Sequence, residues 1–182
     1  MSIDFTIANS EVLAGVKIVT PSVFEEARGN IWTSYRAGDL DGLLPTGMTF
    51  THDKFSQSNF NVLRGIHGDS KSWKLVTCVH GEIHQVVVDL RTDSATYLKF
   101  QRFVINRSNP KLILIPPGMG NAYYVSGGDG AVYHYKLAYE GDYFDVQDQF
   151  TVGWNDRRLN IDWPVKNPIT SQRDNEAADA GN

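Results

Sequence analysis

Between Lys74 and Tyr139 the chain repeats one pattern: a short run rich in β-branched and aromatic residues, then a turn signal. Lys74–Val79 and Ile83–Leu90 are separated by His80-Gly81-Glu82, which predicts a hairpin. Lys99–Ile105, Lys111–Ile115, Ala122–Ser126 and Ala131–Tyr139 follow, with Pro110, Pro116-Pro117-Gly118 and Gly127-Gly128-Asp129-Gly130 at the joints. Many short strands divided by turns predict an antiparallel all-β sandwich or barrel. Helical signals are few. Phe24–Ala27 predicts one turn, and Gly38–Leu44 another, ended by Pro45. No repeat or linker divides the chain, so residues 1–174 read as one domain. Ser171 to Asn182 are small and polar, with no apolar spacing to bury, which predicts a frayed tail over 175–182.

Composition narrows the function classes. The 182 residues are 41% hydrophobic, enough for a core and against wholesale disorder. Seventeen Lys+Arg against 21 Asp+Glu leave a formal charge of −4 with no basic run, which argues against a sequence-independent grip on nucleic acid. Charges, Gly or Pro interrupt every apolar stretch well short of the roughly 20 residues that a membrane helix needs. The N-terminus lacks a cationic start followed by an apolar run, so a cytoplasmic protein is expected. The single cysteine, Cys78, leaves no disulfide framework and no Cys-based zinc site.

Period two assigns side chains to faces. Tyr133, Tyr135, Leu137 and Tyr139 share one side of their strand, opposite Val132, His134, Lys136 and Ala138. Lys74 shares a face with Val76 and Cys78, which places it at a strand mouth or in a polar cavity. The five histidines are scattered and form no H-x-H, so no metal is expected. Cys78 lies mid-strand and reads as a structural thiol, and no G-x-S-x-G elbow, P-loop or dinucleotide fingerprint occurs. In Asn61-Val-Leu-Arg-Gly-Ile-His-Gly-Asp69 an Arg and a His flank a Gly. Taken alone, that segment reads as a surface turn with a solvated Arg.

Several ordered motifs carry a family resemblance. They are Pro21-x-x-Phe24-x-x-x-Arg28-Gly29, Asn61-Val-Leu-Arg-Gly-Ile-His67, Lys74-Leu-Val, Gly81-Glu82, Val88-Asp-Leu-Arg91, Ile115-Pro-Pro-Gly118, Tyr135-Lys136, Trp154-Asn-Asp156 and Ile161-Asp-Trp-Pro164. From about Ile18 to Asp174 the chain resembles the nucleotide-diphospho-4-keto-6-deoxysugar 3,5-epimerases, typified by dTDP-4-dehydrorhamnose 3,5-epimerase. The resemblance implies a cupin-like jelly roll, a homodimer with exchanged N-terminal strands, and no cofactor. It implies His67 as the base that removes a proton beside a C4 ketone, with Asp174 orienting it. It further implies Tyr135 as the acid on the other sugar face and Lys74 at the C4 oxygen. Arg28 and Arg64 match arginines that meet the diphosphate or nucleotide. Read by strand position alone, Tyr135 is equally a core aromatic and Asp174 a tail residue.

Four positions depart from the dTDP branch: Asn121 stands for a His, Gln85 for an Asp, Thr33 for a Glu, and His52-Asp53-Lys54 for Gln-Asp-Asn. The wording Arg64-Gly-Ile-His-Gly-Asp69, Gly81-Glu-Ile-His-Gln-Val-Val-Val-Asp89, Gly120-Asn-Ala-Tyr123 and Gly141-Asp-Tyr143 is similar to a branch acting on GDP-linked 4-keto-6-deoxy-heptoses for capsular polysaccharide. A GDP-sugar substrate is therefore expected in preference to a dTDP-sugar. Asn121 and Gln85 would meet the sugar, Phe24, Trp32 or Tyr139 would stack on the base, and Gly68-Asp69 would make room for a seventh carbon. A 3,4-ketoisomerase of the same fold and a non-catalytic sugar-nucleotide-binding cupin are the alternatives.

Overall fold

A computed structural model describes residues 4–180. Strands β1 (Phe5–Asn9) and β2 (Lys17–Pro21) are followed by the pair β3 (Val23–Glu26) and β4 (Gly29–Trp32). After the short helix α1 (Ala37–Leu40) come β5 (His52–Ser58), β6 (Leu63–Gly68), β7 (Trp73–His80), β8 (Glu82–Asp89) and β9 (Phe100–Asn106). The series continues with β10 (Leu112–Ile115), β11 (Met119–Val125), β12 (Ala131–Ala138) and β13 (Phe150–Thr151), and closes with helix α2 (Gln172–Ala180). The strands form a six-stranded sheet ordered β1-β2-β10-β7-β12-β5 and a five-stranded sheet ordered β13-β6-β11-β8-β9. This is the expected all-β, cupin-like jelly roll.

Both sheets are covered on both faces, which explains the near-continuous apolar runs of β7 and β8. Between the sheets, Val76, Cys78 and Tyr133 meet Ile83, Val87 and Tyr123. The alternate residues point outward into two further clusters: Val86 and Val88 with Trp163, and Leu75 with Val19 and Leu40.

The structure corrects several expectations. The turn at Gly81 is an arch between sheets, not a hairpin: β7 pairs with β10 and β12, and β8 with β9 and β11. Gly81 has φ +82° and lies so close to the Gly130 carbonyl that a Cβ would collide with it. Phe24–Glu26 is strand, not a helical turn, whereas Ala37–Leu40 and the 3-10 turn Asp41–Leu43 match the second helical signal. Of the N-terminal strands, β1 pairs with β2 and β2 with β10 of the same chain, so both extend the six-stranded sheet. The β3–β4 hairpin joins neither large sheet and leaves Phe24 and Ile31 exposed.

The predicted tail is ordered through Ala180. Ser171 caps α2 by accepting the Asp174 N–H at 3.2 Å, and the alanine-rich stretch is helix-favouring. Ala177 and Ala178 pack so closely on Gly153 that a side chain there would strike the helix backbone. The polar composition concealed this contact because small residues bury little area.

Candidate active site

One end of the sandwich opens into a cavity of about 510 Å³, lined among others by Arg64, His67, Lys74, Asn121, Tyr135 and Asp174. Strand register brings them together. Asn121 on β11 lies directly opposite His67 on β6, so the two share a face. On the facing sheet, Leu137 of β12 lies opposite Lys74 of β7, and Tyr135 is one step further along the same face. His67 and Asn121 thus form one wall, and Lys74 and Tyr135 the other.

Arg64 and His67 are three apart, which in a regular strand would send them to opposite faces. The β6–β11 register slips here: Tyr123 pairs with Arg64 and Asn121 with His67, two residues matched to three. This bulge-like irregularity turns both side chains into the cavity. It requires Gly65, whose φ is +122° and where a Cβ would press on Ala122 and the Asn121 carbonyl.

His67 Nε2 lies 2.5 Å from Asp174 Oδ1, across 107 residues of sequence. Helix α2 delivers the carboxylate from its first turn, where the N-terminal dipole favours an anion. Asp174 is 2% exposed. Burial pushes its pKa up, but His67, the Ser171 hydroxyl and the Gly65 N–H more than offset that and hold it below the usual carboxylate value. The carboxylate therefore fixes the imidazole through Nε2, and no hydrogen bond among the described residues engages Nδ1.

Tyr135 is half-buried beside Tyr133, edge to face at 4.6 Å between ring centres. Burial and the neighbouring Tyr123 push its pKa far above the ordinary phenol value, against the opposing pull of Arg64, so it stands in the cavity as a neutral O–H. Lys74 Nζ is 3.0 Å from Asp69 Oδ2, and both residues are buried. Burial favours protonated Asp69, but Lys74 and the backbone N–H groups of Ser72 and Lys71 outweigh it and lower its pKa.

Other expected contacts fall elsewhere. Gln85 is wholly buried behind the wall, bonded to Asn121 and Tyr133, and does not line the cavity. Its place on the inner face of β8, between Ile83 and Val87, puts it in the core. Phe24 and Arg28 sit on the β3–β4 hairpin outside the cavity, with Arg28 exposed and ion-paired to Glu26. Trp32 packs against the Val19–Leu40 cluster, whereas Tyr139 joins His52 and Tyr143 near the mouth. Gly68 and Asp69 do not enlarge the cavity. A Cβ at Gly68 would collide with Phe150 and the Met119 carbonyl, and Asp69 is folded back to cap its own turn and hold Lys74.

Sequence reasoning gave no individual site role to Lys54, Tyr143 or Arg173, which also line the cavity. Lys54 lies opposite Tyr135 in register and donates to the Tyr143 hydroxyl at 3.2 Å. Arg173 Nε donates to Thr151 Oγ1 at 2.5 Å and so ties α2 to β13. The pattern Ser171-x-x-Asp174, a helix-start signal, was the available clue to that region.

The sequence profile of the family described as dTDP-4-dehydrorhamnose 3,5-epimerase matches residues 10–181. The dTDP-4-dehydrorhamnose 3,5-epimerase of Escherichia coli is 33% identical over 152 residues, covering 82% of this chain and 80% of the relative. The crystal structure of the dTDP-6-deoxy-D-glucose-3,5-epimerase of Legionella pneumophila, in complex with dTDP-4-keto-L-rhamnose, superposes with a TM-score of 0.85 at 30% identity, covering 96% of this chain and 92% of that one. NovW of Streptomyces spheroides, a 4-keto-6-deoxy sugar epimerase, gives 0.85 at 28% identity, covering 100% and 93%. With the jelly roll and the profile in agreement over nearly the whole length, the chain belongs to the dTDP-4-dehydrorhamnose 3,5-epimerase family and is an isomerase.

Proposed function

We propose that this isomerase inverts C3, or C3 and C5, of a nucleotide-diphosphate-linked 4-keto-6-deoxy sugar, with a GDP-heptose as the substrate. The observation that carries the reading is His67 backed by buried Asp174 on one wall of the cavity, with the neutral Tyr135 hydroxyl on the other. The C4 ketone acidifies the neighbouring C–H. Neutral His67 takes that proton, the C–H electron pair flows to the C4 oxygen, and Asp174 steadies the imidazolium. The Lys74 ammonium, anchored by Asp69, stabilises the enolate oxygen. Tyr135 then donates its proton to carbon from the far side, the ketone re-forms, and the centre is inverted. Each proton transfer accounts for roughly 10²–10⁴-fold in rate. Protons and electrons balance without a cofactor.

The GDP reading rests on the wording shared with the GDP-heptose branch and on the departures at Thr33 and His52-Asp53-Lys54, which match nucleotide-contacting stretches of the dTDP branch, whereas the departures at Gln85 and Asn121 bear on the sugar. Arg64, Lys54 and the Tyr139–Tyr143–His52 cluster at the mouth suit a diphosphate and a stacked base. The exposed hairpin, with Phe24 and Arg28, would reach the cavity of a second copy in a homodimer. Such an enzyme would serve capsular or O-antigen sugar synthesis in the cytoplasm.

Incubation in D2O with GDP- and dTDP-linked 4-keto-6-deoxy sugars, followed by NMR of the ring protons, tests this. Deuterium entering C3 alone marks a 3-epimerase, and deuterium at C3 and C5 a 3,5-epimerase. Carbonyl migration, or silence with every substrate, overturns the epimerase reading. Much faster turnover of dTDP-4-keto-6-deoxyglucose than of any GDP-4-keto-heptose overturns the nucleotide and heptose assignment.

A further inference from the structure

Four hydroxyl groups lead from Tyr135 to the edge strand β5. The Tyr123 hydroxyl is hydrogen-bonded to Tyr135, donates to Ser56 Oγ at 3.0 Å and lies 3.0 Å from Ser58 Oγ. With the Tyr123 proton given to Ser56, Ser58 is the donor in the bond to Tyr123. Arg64 Nε donates to the same Ser58 oxygen at 2.9 Å and so occupies one of its lone pairs. The sheets hold this group in place. Ser56 lies opposite Tyr133 in register, and the Tyr133 ring stacks on Tyr123 with 4.2 Å between centres. Tyr123 is buried, whereas Ser56 is part-exposed, lines the cavity and belongs to the outermost strand of its sheet. The chain of hydroxyls therefore starts at the acid and ends where water reaches it.

We propose that Tyr123 and Ser56 form a relay that returns a proton to Tyr135 after each inversion. The inference rests on the epimerase reading. In that reading Tyr135 gives its proton to carbon and is left as a phenolate. Burial, and then Tyr123, push its pKa far above the ordinary value, so the phenolate has a strong demand for a proton, eased in part by the Arg64 charge. While a sugar covers the cavity side of Tyr135, the hydroxyls behind it remain connected. Tyr123 passes its proton to Tyr135 and takes one from Ser56, and Ser56 takes one from water. The hydroxide so formed removes the proton that His67 gained, and the cycle closes with no net gain or loss. Hydroxyls suit this task because each gives and accepts, and rotation about the C–O bond resets it. Tyr123 acts through Tyr135 and is a positioning residue for its proton.

Tyr123→Phe keeps the stacked ring and removes only the hydroxyl. With 4-keto-6-deoxy-sugar nucleotides of the GDP and dTDP series in D2O, NMR follows inversion and deuterium uptake separately. The variant should keep deuterium uptake through His67 within about twofold and lose steady-state inversion by roughly 10²-fold. Imidazole buffer, which donates protons near neutral pH, should restore inversion in proportion to its concentration and leave the wild type unchanged. A residue that only packs beside Tyr135 would give no such rescue. Ser56→Ala should show the same loss and the same rescue, and it decides the matter should Tyr123→Phe fail to fold. Inversion at the wild-type rate, a loss that imidazole does not restore, or an equal loss of deuterium uptake overturns the relay alone. A wild type that inverts none of these sugars overturns the epimerase reading and the relay with it.

Discussion

The walls of the cavity and the β3–β4 hairpin both carry residues expected to meet substrate, and they present them in opposite ways. His67, Lys74, Asn121 and Tyr135 lie on β6, β7, β11 and β12, each hydrogen-bonded to a neighbour on both sides. Their directions are set by register and by packing that leaves Ile66, Val76 and Tyr133 without exposed surface. The hairpin has only its own two strands, and its Phe24 and Ile31 remain exposed. A lone two-stranded ribbon is marginal in water and gains stability when it packs on another surface. On the proposed reading, the chemistry falls to the central strands, where positions are fixed most tightly, and recognition falls to an element that a second copy would complete.

This contrast is open to direct tests. His67→Ala should leave the fold intact and lower deuterium uptake at the sugar carbon by roughly 10³-fold, measured by NMR in D2O. Exchange at the wild-type rate would move the base off the wall. Asp89→Ala should cost about 3 kcal/mol in urea denaturation, because the carboxylate is buried while accepting from Arg91, Ser94 and Thr96. Arg91 also reaches the Ala14 carbonyl, so the same change loosens the N-terminal segment from the walls. Burial acts to raise the Asp89 pKa, but those partners lower it strongly overall, and Asp174 is lowered too. Their contribution to stability is thus complete above about pH 4 and is lost as pH falls through the depressed folded values. Asp89→Asn should show a shallower acid limb. The smallest effect is expected at the hairpin: Arg28→Ala should raise KM about tenfold with kcat unchanged, and only in the dimer. An unchanged KM in a protein that sediments as a dimer would remove the hairpin from recognition.

Much of the site was legible because its residue types are chemically demanding. A His, a Tyr, a Lys and an Asp at motif positions fit a proton-transfer reaction, and the strand faces read by period two were right for Tyr133, Tyr135 and Lys74. Gln85 was expected at the sugar because the resemblance has an Asp at that position, and the structure buries it behind Asn121, where it bonds Asn121 and Tyr133. Arg64 and His67 could not be put on one face from spacing alone, since the β6 irregularity breaks the period. The 175–180 part of the predicted tail was misread because α2 is held by Ala–Gly contact and a serine cap, which leave almost no apolar signature, and residues 181–182 lie outside the described residues.

Local alternation of side chains along each strand depends only on neighbouring residues, so the all-β class and the turn positions were determined by the sequence itself, and the candidate acid and base were reached through the ordered motifs of the family resemblance. The arch at Gly81, the β6–β11 slip, the approach of Asp174 to His67 and the burial of Gln85 each join segments distant in the chain. Only tertiary structure decided those, because they depend on which sheets and which ends pack together, and no local period encodes that.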